Sequence, residues 1–227
     1  MKKLILLGFL VICFNSVMAQ STVTFKPGDS FADFKTKYVY RNPTFMPSRV
    51  FFKDGTSTRA TLNYNHLSDR MEFIGSRGDT LELVDNQLIK EVHIDKSKYR
   101  FNEGFFEIIK ESPEFSLAMK KPVRMVNQKK MGAMGIASNA QGIETYQSLG
   151  DISGILKLTP NIEHIFSVAP IFYFGNKNFE FLPATQKNLI RVLPGKKDAI
   201  QAYAKSNTVN YTKVEDILAL LTAIKAL

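Results

Sequence analysis

From about residue 48 to 126, apolar and polar positions alternate in short runs, each rich in aromatic or β-branched residues and closed by Gly, Asn or Asp. Alternation of this kind sends successive side chains to opposite faces, so each run predicts one half-buried strand. Ser48 to Lys53 leads into Asp54-Gly55, whose glycine tolerates the positive φ of a tight hairpin. Thr58 to Tyr64 sets Ala60, Leu62 and Tyr64 against Arg59, Thr61 and Asn63. In Asp69 to Ile74 the inward pair is Met71 and Phe73. Leu81 and Leu83 continue it after the Gly75-Ser76-Arg77-Gly78 turn. Leu88 to Asp95 places Val92 and Ile94 opposite Glu91, His93 and Asp95, and further runs follow at Lys98 to Phe101, Gly104 to Lys110 and Glu114 to Lys120. About eight strands broken this closely predict an antiparallel β-meander curled into a roll, barrel or sandwich.

The pattern then lapses. Residues 127–161 carry glycines and little periodicity and read as a flexible loop or insertion. Residues 162–183, an apolar and aromatic run interrupted by Pro170, read as a β-hairpin completing the sheet, turning at Gly175-Asn176-Lys177-Asn178 before a strand at Phe179 to Leu182. Over residues 184–227 the period becomes helical. Thr185 can cap a short helix carrying Leu189, Ile190 and Leu193, which Pro194-Gly195 stops, and a second helix is expected from Lys196 to Lys205. Thr212 with Glu215 has capping-box spacing ahead of a stripe of Ile217, Leu220, Leu221, Ile224 and Leu227. Strands first and helices last define an α+β class, an antiparallel meander followed by a C-terminal helical segment.

The first nineteen residues form a separate unit ahead of a lead-in at 20–47. Lys2 and Lys3 precede an apolar run from Leu4 to Phe14, and Val17-Met18-Ala19 suits peptidase cleavage before Gln20, so residues 1–19 read as an export signal. The apolar run has eleven residues, whereas a spanning helix needs about twenty. No later segment reaches that length unbroken, which predicts no transmembrane span once the signal is removed. The expected address is periplasmic, outer-membrane-associated or extracellular. Cys13, the single cysteine, lies inside the signal, leaving the exported part without a thiol for a disulfide, a nucleophile or a soft metal site. Removing Lys2 and Lys3 leaves 28 of the 30 basic side chains against 21 acidic ones, a charge of +7.

Arg49-Val50-Phe51-Phe52-Lys53-Asp54-Gly55 followed by Ala60-Thr61-Leu62-Asn63-Tyr64-Asn65 resembles the start of a group of secreted Bacteroidota proteins to which no activity is assigned. Phe179-Glu180-Phe181-Leu182, Lys187 to Lys197 and Val214-Glu215-Asp216-Ile217-Leu218 are similar to that group's tail. The resemblance implies an exported protein of a diderm bacterium and assigns no site residue.

Catalytic chemistry is hard to assemble from these residues. The three histidines, His66, His93 and His164, fall after a turn, on a polar strand face and at a strand start, and no Gly-x-Ser-x-Gly elbow accompanies them. His93 with Asp95 shares a strand face and could orient an imidazole, although a solvated face has the same pattern. Neither a His-Glu-x-x-His helix nor an EF-hand loop occurs, and Asp69 and Asp79 are lone turn carboxylates, so no metal and no cofactor is expected. Glu72, Glu82, Glu91 and Glu107 lie on strands, where most are expected to be surface charges. Met131-Gly132-Ala133-Met134-Gly135 lacks a nucleotide-loop context, and Arg77-Gly78-Asp79 is accounted for by turn chemistry.

Charge distribution says more. Between Glu114 and Glu144 there is no acidic residue, while Lys120, Lys121, Arg124, Lys129 and Lys130 fall within eleven positions, a possible anion-binding patch for acidic envelope components such as lipid headgroups or glycans. Stacking aromatics are absent from Met125 to Thr145, which argues against nucleic acid. The sequence therefore favours an exported, non-catalytic envelope protein acting as a binding or interaction module. The alternatives are an exported hydrolase whose site forms only in the fold, and a carrier holding an apolar small molecule among its phenylalanines.

Overall fold

The computed structural model describes residues 21–131, 137–140 and 162–226. The expected export signal with Cys13, the glycines at 132 and 135, most of the expected insertion and Leu227 lie outside the described residues.

Alternation in the sequence becomes a ten-stranded antiparallel sheet. Its strands are β2 (Met46–Phe52), β3 (Ser57–Asn65), β4 (Arg70–Ile74), β5 (Thr80–Glu82), β6 (Ile89–Ile94), β7 (Ser97–Phe101), β8 (Phe105–Glu111), β9 (Phe115–Lys120), β13 (Ile171–Asn176) and β14 (Phe181–Pro183). They lie in the order β14-β13-β9-β8-β7-β6-β2-β3-β4-β5. Two meanders, β2 to β5 and β6 to β9, thus meet where β2 pairs with β6. The sheet ends at β14 and β5 and does not close into a barrel.

A four-stranded sheet adjoins it, in the order β1-β12-β10-β11, with β1 (Thr22–Phe25), β10 (Arg124–Met131), β11 (Ala137–Ala140) and β12 (Ile162–Ser167). Two sequence expectations need correction here. Strand β10 continues to Met131, past the point where the loop was expected to begin at 127, because its backbone finds partners on both sides, β11 and β12. Residues 162–183 are not one hairpin: Pro170 separates β12 from β13, which join different sheets, and only β13 and β14 form the hairpin.

Three cores hold these layers. Inside the curl of β2 to β8, Val50, Leu62, Tyr64, Met71, Val92, Ile94, Tyr99 and Phe105 pack together. Phe25, Phe34, Val39, Val123, Met125, Phe166 and Val168 join the small sheet to the lead-in, where α1 (Phe31–Phe34) runs into a π-helical turn at Lys35–Val39. The third core lies between one face of β9 and β13 (Phe115, Leu117, Phe172, Phe174) and the helices α2 (Gln186–Val192), α3 (Lys197–Ser206) and α4 (Val214–Ala223). Thr185 caps α2 by accepting from the Asn188 N–H at 3.2 Å. Ile217, Leu220, Leu221 and Ile224 are buried as the α4 stripe requires.

The Thr212–Glu215 capping box does not form. Thr212 donates instead to Asn210 Oδ1 at 2.7 Å in an Asx turn, and the N-cap of α4 is Lys213. The inward expectation also fails at Leu81, which is 42% exposed because the edge strand β5 has nothing beyond it.

Candidate functional site

Strand period puts Glu91 and His93 of β6, and Lys98 and Arg100 of β7, on the face opposite the curled core, and the register pairs Glu91 with Arg100 and His93 with Lys98. A bulge between Ile108 and Lys110 brings Glu111 to that face as well. Charges there interlock. Lys98 Nζ lies 2.6 Å from Glu111 and 3.4 Å from Glu91, and Arg100 Nη2 lies 3.1 Å from Glu111 and 3.5 Å from Glu91. Burial works against the charge of Glu111, but hydrogen bonds from Lys98 and Arg100 outweigh it and hold its carboxyl below the ordinary range.

Over this ladder sits Phe179. Asn176 Oδ1 accepts from the Asn178 N–H at 2.9 Å and the Glu180 N–H at 3.1 Å, an Asx turn that leaves Phe179 at φ +59°. Left-handed backbone is uncommon for a bulky residue. Two contacts fix it: Asn102 Nδ2 donates to the Phe179 carbonyl at 2.6 Å, and the ring centroid stands 3.7 Å from the Arg100 guanidinium carbon. The expected strand at Phe179 to Leu182 is therefore corrected: Phe179 belongs to the turn, and β14 starts at Phe181.

Two grooves open on either side of this stack. One of about 370 Å³ is lined by Arg100, Glu111, Ser112, Ser116, Asn176 and Lys177 among others. The second, about 550 Å³, is lined by Lys53, Gln87, Lys90, Asn102, Glu103 and Asn178 among others. Arg100 and Phe179 belong to both. Four cations (Lys53, Lys90, Arg100, Lys177) face two carboxylates (Glu103, Glu111) along the pair, an electropositive lining. Two buried polar atoms here, Arg100 Nε and Ser116 Oγ, have no hydrogen-bond partner among the described residues. Gly175 lies directly across from Ser116 in the β9–β13 register, and a Cβ there would sit 2.3 Å from Ser116 Oγ.

The residues singled out from sequence fall elsewhere. Lys120 is engaged: its Nζ is 2.7 Å from Asp69 Oδ2 and 4.2 Å from the Phe106 ring centre. Lys121 lies in the β9–β10 connection, and Arg124, Lys129 and Lys130 are strung along β10, with Lys129 opposite Glu163. At ~3.3 Å per residue, Arg124 and Lys130 stand about 20 Å apart, so the five cations do not converge on one point. His93 pairs with Glu91 at 3.0 Å and packs at a tilt on Phe51, rather than with Asp95, whose backbone is left-handed at φ +49°.

His66 is buried against the Tyr64 ring, and burial with nearby Lys121 lowers its pKa to about 4. Glu72 and Glu107 are not surface charges. Glu72 accepts from Tyr40 Oη at 2.6 Å and Asn65 Nδ2 at 2.7 Å. Glu107 accepts from Arg41 Nε at 3.0 Å and Nη2 at 2.9 Å, and from Ser97 Oγ at 2.9 Å. Such saturated pairs tie the lead-in to the main sheet.

Among the described residues no group of three or more His, Asp or Glu side chains could hold a metal ion, and no helix is long and apolar enough to cross a membrane. No family model matches the chain, and neither a curated protein nor a solved structure resembles it. Arg100, Ser116 and Phe179 were not legible as site residues. The one available signal was the Asn-rich turn before Phe179.

Proposed function

We propose that the chain is an exported, non-catalytic binding module of the cell envelope, and that its ligand is an acidic glycan lying across Arg100 and Phe179. The observation that carries this reading is the pair of grooves meeting at one aromatic ring and one arginine. The half-buried Phe179 ring lines both grooves and gives the C–H face of a sugar an aromatic surface to pack on. Asn102, Asn176, Asn178 and Gln87 supply donors and acceptors for hydroxyls, and the lysines favour a negatively charged chain. The export signal read in residues 1–19 supports an envelope address.

The alternatives draw less from the geometry. A carrier needs room inside the sheet, and that space is taken by Tyr64, Tyr99, Phe105 and their aliphatic neighbours. A hydrolase needs a base within reach of a nucleophile or water, and His93 and Glu107 spend their contacts on Glu91 and on Arg41 and Ser97. Lipid headgroups would suit an exposed basic face better than two amide-lined grooves.

The test is calorimetric titration of the purified protein with an acidic polysaccharide and a neutral one. Binding of the acidic polymer is expected, reduced about two- to tenfold by Phe179→Ala, since an aromatic stacking contact contributes about 0.5–1.5 kcal/mol. Neutralising Lys121, Arg124, Lys129 and Lys130 together should leave it largely intact. Binding that survives Phe179→Ala but vanishes with the four cations would replace the groove by the basic segment.

A further inference from the structure

The hydrogen bonding of Arg100 is lopsided. Both of its carboxylate partners, Glu91 and Glu111, are approached most closely through Nη2. Nε is buried without a partner, on a side chain only 10% exposed. A guanidinium presents five N–H donors in a fixed fork, and an unmet buried donor is costly. Ser116, 2% exposed, repeats the pattern in the same 370 Å³ groove, its Oγ also unmet. Both side chains line that one groove, and each carries a buried polar atom left without a partner among the described residues.

Access is controlled by Phe179. Its ring lies 3.7 Å over the guanidinium and its backbone is in the left-handed region, so the ring covers Arg100 from a conformation the backbone does not favour.

Resting on the glycan reading, we infer that Arg100 Nε and Ser116 Oγ form a carboxylate subsite beneath Phe179, and that it selects a uronate-type sugar. The occupant is assigned as a carboxylate because two donor groups, one guanidinium N–H and one hydroxyl, match its two oxygens. Lys98, 2.6 Å from Glu111, keeps that carboxylate matched when a ligand shares Arg100.

The experiment compares a uronate-containing oligosaccharide with its carboxyl-reduced, neutral counterpart on four proteins: the natural chain, Ser116→Ala, Arg100→Lys and Phe179→Gly. The natural chain should prefer the acidic form by about tenfold or more, the scale of charge-assisted hydrogen bonds. Ser116→Ala and Arg100→Lys should each bring that ratio close to one, with an unchanged circular dichroism spectrum and urea midpoint reporting a folded protein. Phe179→Gly should weaken both forms yet keep the ratio at or above the natural value.

An acid-to-neutral ratio near one in the natural chain, or one unchanged by Ser116→Ala, overturns the subsite while leaving glycan binding standing. Failure of both oligosaccharides to bind overturns the glycan reading itself. A ratio that falls in Phe179→Gly moves the preference away from Arg100. Inorganic phosphate competing more tightly than free glucuronate rejects the carboxylate assignment.

Discussion

Replacing Glu107 with Gln tests how the lead-in is fastened to the main sheet. The Glu107 carboxylate receives a forked pair of hydrogen bonds from Arg41 at 2.9 and 3.0 Å and one from Ser97 at 2.9 Å, with Tyr99 Oη at 3.5 Å. Charge-assisted bonds contribute about 1.5–3 kcal/mol each before desolvation is counted. Glu107 is half-buried, which offsets part of that, and the Arg41 side chain is 39% exposed, so it rehydrates when abandoned. The amide keeps one acceptor oxygen for Ser97 and loses the charge. A net loss of about 1–2 kcal/mol at pH 7 follows, a sizeable part of a typical stability of about 5–15 kcal/mol.

The pH dependence gives the sharper check. Burial raises the Glu107 pKa, but the Arg41 bonds outweigh burial and the folded value lies below the ordinary one. The unfolded chain therefore takes up the proton first on acidification. Stability from the ionised carboxylate is complete above about pH 4.3 and is lost as pH falls through the lower folded value. Urea unfolding of both proteins between pH 7 and pH 3 should show a gap that closes toward the acid end. Equal stability at pH 7, or a gap as wide at pH 3, would refute the assignment.

His66 should respond over a different window. Its folded pKa of about 4 lies below the unfolded value near 6.5, so stability is complete above pH 6.5 and falls progressively toward pH 4, a slope that His66→Leu should remove in urea titrations. Gly104→Ala should destabilise by about 1–3 kcal/mol in thermal unfolding, because Gly104 holds φ +138° and a Cβ there would sit 2.4 Å from Lys120 Nζ and 2.5 Å from Asp69 Oδ2, splitting their ion pair. Leu220→Ala empties a fully buried position between α4 and the sheet and should cost about 2–5 kcal/mol by urea denaturation, with a similar m-value if the helices unfold with the sheet.

Much of the architecture was readable along the chain because its elements are local. Period-two alternation identified β2 to β9 to within a few residues, and the 3.6-residue stripe of α4 was correct at Ile217, Leu220, Leu221 and Ile224. What was missed depends on partners distant in sequence. The small sheet joins β1 to β12 across about 140 residues, with Thr22 opposite Ser167, a pairing no local pattern encodes. Asn63 and Glu72 read as outward-facing yet are buried, because Asn42, Thr44 and Tyr40 of the lead-in cover them. The groove was least legible. Arg100 reads as one more outward cation on a strand, and only the return of the β13–β14 turn, some 80 residues later, lays Phe179 on it.

A structure of the protein with a uronate-containing oligosaccharide bound tests the central claim most directly. The account expects a sugar ring beside Phe179, with a carboxylate oxygen within about 3 Å of Arg100 Nε and Ser116 Oγ. Ligand lying along Lys121 to Lys130, with both grooves untouched and the Phe179 ring still seated on Arg100, would contradict it.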